Sequence, residues 1–415
     1  MQTLYRQITH WHTAAKRMAN VEQMASGTAW QGLQQSTGAL IKLFLQKCTA
    51  HLAARGQQLK QQLQTANSAA LRLQLRRALL KYKADYLRSE TTIHFYTDAI
   101  NTRTQTDVAA MLKGCDVLCN VCMQTFLEPL HKTAPPVITY LDKGLGAAIM
   151  KAGLRLWDGS ISPVALIKIT YHNLVRPTAV LHECGHQVAH ILNWNMELAL
   201  LLLQLLKDKD AQVAKAFAGW SSEIAADTVA LVTSGYGAVA ALHDVVDGDA
   251  DMVFNYEASD PHPISYLRVL LNCAMCTVLF GAGAWNNLEK EWIENHPLAE
   301  ADKEAAAIIK KSIPLLPLIA QAILQTKQKA FNNKSITELV NANLVLPAAL
   351  KKFEDEMQRR ANHPNEYLTA NSLKIVALSG YKVATEKNNI EAATENLSQF
   401  LKQLGGKAQL QYSLN

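Results

Sequence analysis

Apolar residues recur at helical spacing along most of this chain, and at strand spacing over one short part of it. Residues 1–130 read as helix nearly throughout. In "LRLQLRRALLKYKADYLR", Leu71, Leu75, Leu79, Tyr82 and Tyr86 mark one face, while Arg72, Arg76, Lys83 and Arg88 occupy others. The pattern changes after "APP" at 134–136. Ala148, Met150, Ala152, Leu154 and Leu156 then alternate with Ile149, Lys151, Arg155 and Trp157. Asp158-Gly159 turns the chain towards a second run from Val164 to Thr170, a hairpin signal. Helical spacing resumes at Pro177 and continues to the end, broken by turns at "SGYG", "DGDAD" and "ASDPHP". The expected fold class is mainly α with a small β-sheet. Its divisions are an N-terminal helical region, 1–130, a central domain, 131–300, and a C-terminal helical region, 301–415. No internal repeat is visible.

Composition narrows the classes. The chain has 415 residues, 49% of them hydrophobic and 18% charged, an ordinary globular balance with a large core. A net charge of +6 is too dilute at this length to argue for nucleic acid or an anionic membrane. The basic positions on the Leu71–Tyr86 helix are expected to be a solvated face. No apolar h-region stands at the N-terminus, and the runs "ELALLLLQLL" and "RVLLNCAMCTVLFGAGAW" read as buried helices, with no membrane span. Seven cysteines in a long chain suggest reduced thiols. "GCDVLCNVC" places Cys115, Cys119 and Cys122 at i, i+4 and i+7, one stripe of a helix and not a cluster-binding loop. A cytoplasmic protein is the expectation, with export by a route lacking a cleaved signal left open.

One segment carries chemistry. "AVLHECGHQVAHIL", residues 179–192, sets His182 and His186 four apart in an apolar run, so both imidazoles can face one point. His190 lies about 12 Å along the helix from His182, too far to share an ion. Ala189 and Leu192 stand where the extended metzincin motif needs Gly and His, which removes that class. A zinc site needs a third protein ligand. "GWSSEIAADTVALVTSG" supplies Glu223, and Asp227 four residues on can accept the other ring N–H of a ligating histidine. The apolar neighbours Ile224, Ala225, Ala226, Val229 and Leu231 are a poor setting for unpaired carboxylates.

These motifs resemble those of the gluzincin metallopeptidases, in which H-E-x-x-H is followed on a later helix by E-x-x-x-D. A third element, His262-Pro263 with Arg268 six beyond the histidine, resembles the H-P-x-x-x-x-R element of the CAAX prenyl protease group and its soluble relatives. The pairs at His296 and His363 lack that arginine, having Asp302 and Thr369 instead. The resemblance covers roughly residues 140–285. It implies a zincin-like catalytic core flanked by helical regions, one Zn2+ per chain held by His182, His186 and Glu223, and a polypeptide substrate.

A zinc so held lowers the pKa of a bound water to about 7 and polarises a carbonyl. Glu183 follows a ligand directly and is the candidate general base. His262 is the candidate donor to the oxyanion, and Arg268 would add charge or hold the substrate. The edge of the strand from Ile149 to Trp157 could pair with an extended peptide. The expected function is a zinc-dependent endopeptidase. The competing reading is a non-catalytic helical scaffold that retains a metal site.

Overall fold

A computed structural model describes residues 2–144, 146–360 and 363–406. The chain divides into two compact units. One comprises Met1–Lys113, Pro135–Leu141 and Met150–Leu166; the other comprises Gly114–Ala134, Asp142–Ile149 and Ile167–Asn415.

Five helices open the chain: α1 (Gln2–Met18), α2 (Gly27–Gln31), α3 (Gln35–Thr65), α4 (Ala69–Asn101) and α5 (Thr106–Leu127). The long pair α3 and α4 forms a helical hairpin in the first unit. Its seam comes from matching heptads. Ile41, Leu45, Leu52, Leu59 and Leu63 on α3 are buried, as are Leu75, Leu79, Tyr82, Tyr86, Ile93, Tyr96 and Ile100 on α4. Ser68 caps the return helix by accepting a hydrogen bond from the Leu71 amide. Gly56 lets α1 approach the hairpin, because a Cβ there would stand 2.7 Å from Tyr82 Oη and 2.8 Å from His12 Cδ2. Leu71, expected on the inner face, is instead exposed one turn ahead of the seam. Cys115, Cys119 and Cys122 are all buried on α5.

Three strands, β1 (Val137–Leu141), β2 (Ala148–Met150) and β3 (Ala165–Ile169), make a mixed sheet in the order β1-β3-β2. The sequence pattern missed β1, whose five-residue run "VITYL" is too short to show a period. It also made β2 too long. The expected strand from Ile149 to Trp157 ends at Met150, since the chain turns at Gly153 with φ 86° and resumes only a single antiparallel bridge, Arg155 with Ile161. The turn expected at Asp158-Gly159 is present, with Gly159 at φ 86° and the Ser160 amide donating to Asp158 Oδ1.

Seven helices of the second unit follow: α6 (Thr178–Leu192), α7 (Trp194–Leu206), α8 (Ala211–Gly219), α9 (Ser221–Ser234), α10 (Tyr236–Val246), α11 (Ala250–Val253) and α12 (Ser265–Phe280). Further helices continue to residue 404. Asn193, left-handed at φ 55°, ends α6 and bends the chain by 88° into α7. The run "ELALLLLQLL" lies in α7 and is only half buried: Leu198, Leu202 and Leu206 face inward, while Leu200 and Leu203 are exposed. One stretch that the sequence reading passed over, Lys303–Gln325, is long and apolar enough to cross a membrane, and half of it is buried within the protein. Lys310 and Lys311 interrupt its apolar pattern.

Candidate metal centre

Two buried helices build the site. Pro177 caps α6 at its start, and α9 ends on Gly235 at φ 64°. They cross where their side chains are smallest. A Cβ on Gly185 would lie 2.6 Å from Ala226 Cα and 2.9 Å from Ala226 O, so only glycine permits the approach. Gly185 and Ala226 sit inside the two motifs. Their contact therefore brings His182 and His186 against Glu223.

The donor atoms of His182, His186 and Glu223 lie within 4.8 Å of one another. His182 Nε2 is 3.4 Å from Glu223 Oε2, and His186 Nε2 is 3.1 Å from Glu223 Oε1. Both rings are held from behind. His182 Nδ1 is 2.8 Å from Asp227 Oδ1, and His186 Nδ1 is 3.2 Å from Ser222 Oγ. With the Nδ1 atoms engaged from behind, each Nε2 points at the carboxylate and can give up its proton to a bound ion. Two imidazoles and one carboxylate oxygen in that orientation suit a divalent cation with room for a further ligand. The residues present can therefore hold a metal ion.

Charge around the cluster is compensated. Arg268, on α12, donates to both oxygens of Asp227, each at 2.7 Å, and its Nη2 stands 3.2 Å from Glu223 Oε2. Burial would raise the Asp227 carboxyl, but the Arg268 charge and hydrogen bonds prevail and hold it well below the usual range. Burial likewise opposes ionisation of Glu223, which hydrogen bonds from His182 and His186 and the Arg268 charge outweigh. For His182, burial works against protonation, yet Asp227 and Glu223 raise its pKa to about 10. A metal at Nε2 would displace that proton, so metal affinity rises with pH. Glu183 is buried on α6, and desolvation lifts its carboxyl above the usual range against the pull of both histidines.

The structure places Arg268 inside the cluster. Its guanidinium is engaged by Asp227 and Glu223 and its side chain is only 11% exposed, so it positions the cluster instead of reaching outward. His262 precedes α12 and is 60% exposed. Its Nδ1 lies 2.7 Å from Asp260 Oδ1, and its Nε2 is 3.9 Å from Glu223 Oε1. Sequence reasoning missed three polar partners. Ser222 adjoins Glu223. Asp260 also accepts from the His262 amide at 2.9 Å. Asn272 reaches Asp227 Oδ2 at 3.3 Å, one helical turn after Arg268, where a lone amide interrupts an apolar run. That interruption was the available signal.

Comparison of the chain with protein-family models, curated proteins and solved structures returned no match. The metal-binding reading therefore rests on the cluster itself.

Proposed function

We propose that this chain is a zinc-dependent endopeptidase of the gluzincin type, acting on polypeptides. The observation that carries the reading is the convergence of His182, His186 and Glu223 from two helices, with Asp227 behind His182 and Glu183 next to it in sequence. A purely structural ion-pair cluster has no need of a carboxylate at 183. Buried, with its carboxyl lifted above the usual range by desolvation, Glu183 has the character of a proton acceptor.

Zinc, when bound, supplies Lewis-acid activation of water and of the scissile carbonyl. Glu183 takes the proton from the attacking water and returns it to the leaving amine. Asp227 and Ser222 hold the two imidazoles in the tautomer that leaves Nε2 free for the ion. Arg268 and Asn272 fix Asp227 in place. His262, oriented by Asp260, stands as the donor from Nε2 to the oxyanion that develops on the carbonyl oxygen.

Glu183→Gln tests the proposal. This variant keeps shape and zinc, and its cleavage of casein should fall by about 10²–10⁴-fold. Activity within about tenfold of wild type would remove Glu183 as the base. A wild type that binds zinc and cleaves nothing would return the protein to a metal-holding scaffold.

A further inference from the structure

The first unit presents a second feature, on the face of α4 turned away from its core. Leu73, Leu80 and Leu87 are 50%, 59% and 42% exposed, and they stand seven residues apart. Counted as one position of a heptad, they alternate with Ala70, Arg77, Ala84 and Thr91, all exposed. The result is a row of three leucines over about 21 Å of helix, with Arg77 and Ala84 between them. The inner heptad of the same helix, Leu75 to Ile100, is already occupied by the hairpin. This outer seam has no partner helix among the described residues. Three leucines aligned on one face and rimmed by charged residues are the kind of apolar surface that marks a docking site, where single scattered leucines would not.

The flanks decide what fits. Gln74, Lys81 and Arg88 line one side of the seam, and Arg76, Lys83 and Glu90 the other. Arg76, Arg77, Lys81 and Arg88 form no ion pair among the described residues, while Lys83 lies over the Trp11 ring. A second copy of α4 would set cation against cation in either orientation. Parallel pairing opposes the two flanks, and antiparallel pairing opposes each flank to itself. Nucleic acid would answer the charge but leave the leucines against phosphate, where they gain nothing. We propose that this face of α4 docks a partner protein presenting an amphipathic helix with an apolar heptad seam and acidic flanks.

The test uses the full chain and labelled designed peptides of about four heptads. One has Leu at a and d with Glu at e and g; a second carries Lys at e and g. The acidic peptide should bind, more weakly as salt rises, and the basic one should not. Leu80→Asp should weaken binding by about tenfold or more. Lys81→Glu combined with Arg88→Glu should do the same, and carries the test if Leu80→Asp does not fold. Acidic-peptide binding that is absent, or indifferent to these changes, overturns the proposal. So does binding of duplex DNA in place of the peptide, or a wild-type dimer that Leu80→Asp converts to monomer.

Discussion

Gly185→Ala should damage the metal centre without touching a ligand. In an unconstrained helix this substitution gains about 1 kcal/mol of helix propensity. Here the new Cβ would stand 2.6 Å from Ala226 Cα, 2.9 Å from Ala226 O and 3.0 Å from Val229 Cβ. The nearest two obstacles are backbone, which no rotamer change can move. Ordinary contact begins at 3.4 Å, so α6 and α9 must separate locally by most of an ångström. Overpacking of this kind costs about 1–3 kcal/mol, which outweighs the propensity gain. The ligands ride on the same two helices, His182 and His186 on one and Glu223 on the other. A coordination sphere tolerates about 0.2 Å, so zinc affinity should fall by about 10–100-fold, as when a supporting contact is lost. Competition titration against a zinc chelator, paired with a thermal melt, measures both effects. Gly219→Ala is the control, since a Cβ there meets nothing within 4 Å. If Gly185→Ala binds zinc as wild type does and melts no lower, the crossing is not what positions the ligands.

Arg268→Ala and His262→Ala should separate support from catalysis. Removing the buried guanidinium strands Asp227 and Glu223, costing about 3–5 kcal/mol and weakening zinc binding. Removing the exposed imidazole should leave the melt and zinc content unchanged but lower kcat by about 10²–10³ with little change in KM. A normal melt for Arg268→Ala, or an unchanged kcat for His262→Ala, would reverse that assignment. In the first unit, buried His12 is held below its usual pKa of 6.5 by desolvation and by the charges of Lys60 and Lys16. The folded state therefore takes up its proton less readily than the unfolded chain. The stability this gives is complete above pH 6.5 and is lost as pH falls from there through the lowered value. The melting temperature should drop as pH falls below about 6.5, by less in His12→Leu, and an equal drop in both would exclude His12.

The sequence made the helices and the ligand set legible for one reason: both depend on spacing. His182 and His186 at i and i+4, and Glu223 and Asp227 at i and i+4, fix which side chains share a helix face. Burial of the carboxylates followed from their apolar neighbours. What spacing cannot encode is the angle at which two helices cross. Gly185 therefore read only as a tolerated helix residue, although it sets the approach. For the same reason the role of Arg268 stayed open between adding charge and holding the substrate: its distance from His262 is a sequence property, while its salt bridge to Asp227 is a packing property. The small sheet was the least legible part. β1 and β2 are five and three residues long, and a period of two cannot declare itself over so few positions. Alternation past Met150 misled because Gly153 breaks the strand while the apolar pattern continues.

Zinc stoichiometry tests the central claim most directly. The protein purified in the presence of zinc, and dialysed against metal-free buffer, should retain one equivalent per chain by elemental analysis. His186→Ala should retain none, because the two remaining donors cannot complete the set. A wild type free of zinc, or a His186→Ala variant that still holds a full equivalent, would contradict the account.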